Sequence, residues 1–223
     1  MLCSLNEIQT LATKAARGAG LPWGLADEAG RVARWLEARG LSGLSALGSA
    51  LEGLSAQDWR RCFPIPSGTI WRSEAGEIDG LLAGVTIADR AGQPLPFAGD
   101  GALTLAAVRW PLLTMPFLAG VAQVCDVRLN ISLGLEAPAI GIGPQTIADS
   151  CRRIEKLSLA GSVRIEQGQI GELPQSLPQL DGSIPVEIEV YDRLNGWACR
   201  TYVPESAESQ ARGAGGSELI ETD

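Results

Sequence analysis

The chain has 223 residues, 45% apolar and 20% charged, a globular composition that excludes a disordered or collagen-like protein. Its 26 acidic and 18 basic residues give a net charge of −8, which disfavours binding driven by nucleic-acid phosphates or anionic lipid. Histidine is absent, so Ser-His-Asp and Cys-His hydrolysis and the common histidine-ligated zinc and iron sites are excluded.

Five widely spaced cysteines (Cys3, Cys62, Cys125, Cys151 and Cys199) contain no CxxC pair, a pattern of reduced thiols rather than a disulfide framework or zinc ribbon. Lys14 and Lys156 are the only lysines, so Schiff-base chemistry has just those two candidates. No metal site is expected, and no motif identifies a cofactor. The chain opens without a basic segment leading into a long apolar run, and no stretch reaches the ~18 apolar residues of a membrane helix. The expected compartment is the cytoplasm.

In chain order, Ser4 and Glu7 stand at capping-box spacing and open a first helix, with Leu5, Ile8, Leu11, Ala12 and Ala15 on one face. Gly18 and Gly20 end it, and Leu21-Pro22 prevents continuation. A second helix is expected from about Leu25 to Arg39, with a stripe of Leu25, Ala29, Val32, Ala33 and Leu36 and a stop at Gly40. Ser42–Leu54 reads as a third helix of modest intrinsic stability, interrupted by glycine. Ser55-x-x-Asp58 caps a short turn of helix carrying Trp59, and Phe63–Pro66 breaks the helical pattern.

Beyond Ser67 the texture changes to short apolar runs cut by glycine. Thr69–Arg72 reads as a strand, and Leu82–Ala88 fits either strand or helix. Leu103–Arg109, a helix from Pro111 to Val124 and Val127–Leu133 form a strand–helix–strand unit, which implies a crossover and a partly parallel pair. Residues 134–147 read as loop, Ile147–Leu159 as helix from the Asp149/Arg153 spacing, and Val163–Glu166 and Val186–Val190 as strands. Tyr191–Tyr202 is a further expected helix with Leu194, Trp197 and Ala198 inward. The expected fold is therefore α+β (mixed α/β), an N-terminal helical hairpin packed on a small mixed sheet with a crossover helix. One globular domain spans 1–203, with a helical part over about 1–63 and an α/β part over about 67–203; 204–223 forms a C-terminal tail.

The tetrad Arg17-Gly18-Ala19-Gly20 recurs as Arg212-Gly213-Ala214-Gly215. Read as a site, glycine-rich backbone offers N–H groups to an anion, and Arg17 and Arg212 each supply a fork for carboxylate or phosphate. Trp23 lies at the first corner, and Arg200 stands where a helix end can reach the same ligand. The candidate ligand-binding set is Arg17, Gly18, Gly20, Trp23, Arg200, Arg212, Gly213 and Gly215. The plainer reading is that Gly18 and Gly20 end a helix and Trp23 fills a gap in the hairpin. Arg31, Arg34 and Trp35 form either a cationic patch or a solvated face paired to Asp27, Glu28 or Glu37. Cys62 and Cys125 read as structural thiols, and Asp79, Asp89, Asp100 and Asp126 as carboxylates that spacing does not pair.

The stretches SLNEIQTLATKAARGAGLPWGLADEAGRVARWLEARGL and RTYVPESAESQARGAGG resemble a bacterial family of about this length, defined as a conserved protein of unknown function. The resemblance implies a single-domain cytosolic protein and no particular activity. Two functions are expected from the residues themselves. One is a non-enzymatic interaction or accessory subunit, whose tail docks a protein partner or a second protomer. The alternative is an enzyme or binding protein for a small anionic metabolite. Six tryptophans and apolar helices point to a homodimer.

Overall fold

The computed structural model describes residues 1–91, 93, 95–98, 101–134, 139–168 and 176–202. Strand β1 (Leu2–Ser4) leads into α1 (Leu5–Gly18), α2 (Trp23–Glu37) and α3 (Gly43–Ser55). The Ser4–Glu7 capping box is formed in both directions: Glu7 accepts from the Ser4 N–H at 2.7 Å and Ser4 Oγ from the Glu7 N–H at 3.2 Å. A 3-10 turn over Trp59–Cys62 and two short strands, β2 (Ile70–Trp71) and β3 (Ile78–Asp79), precede α4 (Gly80–Ala88). The run that fitted strand or helix is thus helix, because the Asp79 carboxylate caps it by accepting from the N–H groups of Leu81 and Leu82.

Strand β4 (Ala102–Arg109) is followed by a 3-10 turn and by α5 (Met115–Val124), with Pro116 harmless in the first turn. The remaining elements are β5 (Arg128–Leu133), β6 (Ile140–Gly143), β7 (Thr146–Ile147), a 3-10 segment over Asp149–Ile154, β8 (Leu159–Gly168), β9 (Ser183–Pro185) and α6 (Ile188–Ala198). The seven-stranded sheet runs β2-β4-β8-β5-β6-β7, with β3 also pairing β4; β1 and β9 form a separate antiparallel ribbon. β4 and β5 point the same way, as the crossover required, yet they do not touch. β8 lies between them, antiparallel to both, and the directly parallel pairs are β2–β4 and β3–β4.

Three further stretches differ from expectation. Ile147–Leu159, read as helix, instead holds the end of β7, the 3-10 segment Asp149–Ile154 and the first residue of β8. Residues 134–147 hold β6 and β7, where Ile140 and Ile142 are buried and the turn at Gln145 takes φ +52°. Val186–Val190 alternates like a strand, but from Ile188 it is helix, with Leu194 and Ala198 as the buried residues of α6. Helix α2 of the hairpin rests on α4 and α5, α1 packs against α6, and one continuous core runs from Ile8 through Leu82 and Phe117 to Ile165. The expected fold class and the N-terminal hairpin are those observed.

Candidate functional site

The corner after α1 is a Schellman stop. The Leu21 N–H donates to the Ala16 carbonyl at 3.1 Å, the Gly20 N–H to Arg17 at 2.9 Å and the Ala19 N–H to Ala15 at 2.9 Å. Gly20 takes φ +97°, which only glycine adopts freely, and Leu21 is fully buried behind it. These three N–H groups are committed to ending the helix and are not offered to a ligand. The Arg17 guanidinium donates to the Leu21 carbonyl and lies 4.6 Å over the Trp23 ring. Trp23 is 64% exposed and forms surface rather than filling a gap in the hairpin.

Gly18 has a different task. A Cβ there would stand 1.8 Å from the Trp197 carbonyl oxygen, so the backbones of α1 and α6 touch at this point. That approach sets the end of α6, and the 3-10 turn Cys199–Thr201 behind it, beside the last turns of α1. Arg200 lies 4.0 Å over the Trp197 ring, and Lys14 stands 5.1 Å from the Tyr202 ring centroid while donating to its hydroxyl at 3.3 Å. Lys14, Arg17 and Gly18 share one face of α1. Among the described residues, no carboxylate lies within 4 Å of Lys14, Arg17 or Arg200. The structure therefore gathers Arg17, Gly18, Trp23 and Arg200 at neighbouring helix ends and adds Lys14, Trp197 and Tyr202. Arg212, Gly213 and Gly215, with the rest of the tail, lie outside the described residues.

Of the other sequence candidates, Arg31 is paired with Glu28, and Arg34 donates to Asn6 and Gln9. Burial pushes the Cys62 and Cys151 thiols up, Cys151 to about 12. Cys125 is exposed, with its thiol 3.5 Å from the Ala91 carbonyl. Among the described residues, no three carboxylates or thiols converge on a site for a metal ion.

Two concave sites carry residues that the sequence reading left unassigned. A polar cleft of about 450 Å3 opens at the start of α3, lined by Glu37, Glu155, Lys156, Ser45 and Trp110. Ser42 makes no side-chain cap of its own; instead Glu37 accepts from the Leu44 N–H at 2.8 Å, and Glu155 from the Ser42 N–H at 2.9 Å and its hydroxyl at 3.0 Å. Burial, reinforced by the Glu155 charge, raises the Glu37 carboxyl to about 7 despite those N–H bonds. Such a group holds or releases a proton near neutrality. The second site is an apolar groove of about 490 Å3 between α2, α4 and α5. Its polar end is a chain of contacts: Arg39 stacks 3.7 Å over Trp35, Trp35 Nε1 donates to Gln145, and Gln145 donates to Gln123. No local pattern announces these partners, because Arg39 and Gln145 lie over a hundred positions apart.

A family model described as a protein of unknown function (DUF3726) matches residues 3–89. No curated protein and no solved structure matches the chain. The matched part spans α1 to α4 and includes Arg17, Trp23, Glu37 and Arg39; Gln145 and Arg200 lie beyond it. Over that part the chain is similar to a family without an assigned activity.

Proposed function

We propose that the protein is a non-catalytic interaction subunit that docks an acidic segment of a partner protein on the Lys14–Arg17–Arg200 face. The observation that supports this reading is three cations, each against an aromatic ring and none with a carboxylate partner among the described residues, on a chain of net charge −8. Four other surface arginines each face a carboxylate: Arg31 with Glu28, Arg60 with Asp58, Arg109 with Glu77 and Arg164 with Glu166. A guanidinium whose face rests on an indole keeps its edge available, so it grips a carboxylate with little further loss of side-chain freedom. Exposed Trp23 and Tyr202 beside these cations supply apolar contact of the kind interfaces favour.

The test is a titration of labelled hexaglutamate peptide into the full chain, wild type and Arg17→Ala/Arg200→Ala, at low and high salt. Binding is expected to weaken at least tenfold in the double variant and to fall with salt. Equal binding by the two proteins overturns the reading. Citrate and inorganic phosphate form a second arm. If they bind through Arg17 and the peptide does not, the protein is instead a binder of small anionic metabolites. A chain ending at Glu208 then decides whether Arg212, Gly213 and Gly215 belong to that site.

A further inference from the structure

Arg39 is 7% exposed, yet among the described residues no carboxylate lies within 4 Å of its guanidinium. It donates to the carbonyls of Trp35 at 3.0 Å and Gln145 at 2.7 Å. Neutral carbonyls solvate a buried charge without neutralising it, and such a charge ordinarily has a counter-ion. Its two contacts, Trp35 and Gln145, are themselves walls of the apolar groove. From there donors point outward in sequence. Gln145 donates its amide to Gln123 at 2.7 Å, and the Gln123 amide hydrogens have no acceptor among the described residues. The relay starts at the indole: Trp35 Nε1, beneath the stacked Arg39 guanidinium, donates to Gln145 Oε1, and the Gln145 amide donates to Gln123, a polarised chain whose last donor favours an anionic acceptor. The one carboxylate on the rim, Glu28, is held by Arg31 through both oxygens.

The rest of the groove is apolar: Val32 and Trp35 on one side, Phe117, Val121 and Val124 on the other, with Gly120 between. A Cβ at Gly120 would meet nothing within 4 Å, so the trough is open along its middle. Its volume lies in the range of sites that hold small organic ligands.

We propose that this groove is a second binding site, taking a small amphipathic carboxylate whose apolar body lies along Gly120 and whose acid group meets the Gln123 amide in front of Arg39. The site is independent of the acidic-peptide face, which lies at the other end of α2.

The experiment is calorimetric titration of the full chain with decanoate, decanol and decyltrimethylammonium, all below micelle-forming concentrations. Decanoate is expected to bind at least tenfold more tightly than decanol, and the ammonium more weakly still. Gly120→Leu fills the trough from a position with open space and should abolish decanoate binding. Gln123→Glu, at an exposed position, turns the last donor into an anion and should weaken decanoate at least tenfold while leaving decanol unchanged. Arg17→Ala/Arg200→Ala should bind decanoate like the wild type, which separates failure here from failure of the peptide face. A wild type that binds none of the three ligands, or all three alike, overturns the proposal. So does decanoate binding that survives Gly120→Leu or ignores Gln123→Glu.

Discussion

Two helical glycines show how a single atom changes sign with its surroundings. At Gly18 the added methyl of alanine would collide with the Trp197 carbonyl, which is backbone and cannot swing aside. At Gly120 the same methyl enters open space. Gly18→Ala should therefore destabilise the protein by about 2 kcal/mol or more, since overpacking costs roughly 1–3 kcal/mol. Gly120→Ala should stabilise it by about 0.5–1 kcal/mol, the difference in helix propensity. Urea unfolding of both variants checks the pair, and a shared sign would contradict the geometry. The arginines divide similarly. Arg17 closes its own helix end and remains partly accessible, whereas Arg39 is buried behind Trp35.

At the scale of elements, two helices begin on carboxylates with raised pKa values. Asp79 caps α4, and burial lifts its carboxyl to about 7 against the opposing pull of the Leu82 and Leu81 N–H groups and the Arg109 charge. Glu37, on α2, supports the start of α3 and also sits at about 7. In the unfolded chain both titrate near 4. Between about pH 4 and 7 the folded protein thus keeps protons that the unfolded chain releases. Stability from this source is complete below pH 4 and is lost as the pH rises through 7, with a slope of up to about 1.4 kcal/mol per pH unit for each group. Asp79→Asn and Glu37→Gln keep an acceptor for the cap, so each should flatten part of that slope and be no less stable than the wild type at pH 8. Chemical denaturation from pH 4 to 8 measures this directly. The sequence made α1 and α2 readable because an apolar stripe and a glycine stop agree in each, with a capping box added at α1; α3 had neither a side-chain cap nor a glycine stop. It misled at Val186–Val190, where every second residue is apolar yet Val186 and Val190 also stand one helical turn apart. It read β6 as loop, because an Ile-Gly-Ile-Gly run buries its isoleucines only once β5 lies beside it. The Arg17 corner was legible as a place. Arg39, Glu37 and their partners were not, since Gln145 and Glu155 reach them only through the fold.

For the whole molecule, Met1, Leu2 and Ile188 form exposed apolar surface where the β1–β9 ribbon meets α6. The proposed homodimer has this surface available, and light scattering tests it. A mass near twice 23.4 kDa that reverts in Leu2→Glu would locate the contact there, and a mass near one chain at micromolar concentration counts against pairing. The ribbon carries another consequence. Leu2 pairs with Pro185 and Cys3 with Ile184, and Gly18 of α1 lies against the backbone of α6 at Trp197. At the roughly 5–20 residues per second of protein synthesis, the first strand waits on the order of 10–40 s for its partner to be made. Throughout that interval α1 can lean on α2, but the side that α6 will cover stays open to other chains and to chaperones. Closing the molecule waits on α6, and until that helix is made the β1–α1 segment is provisional.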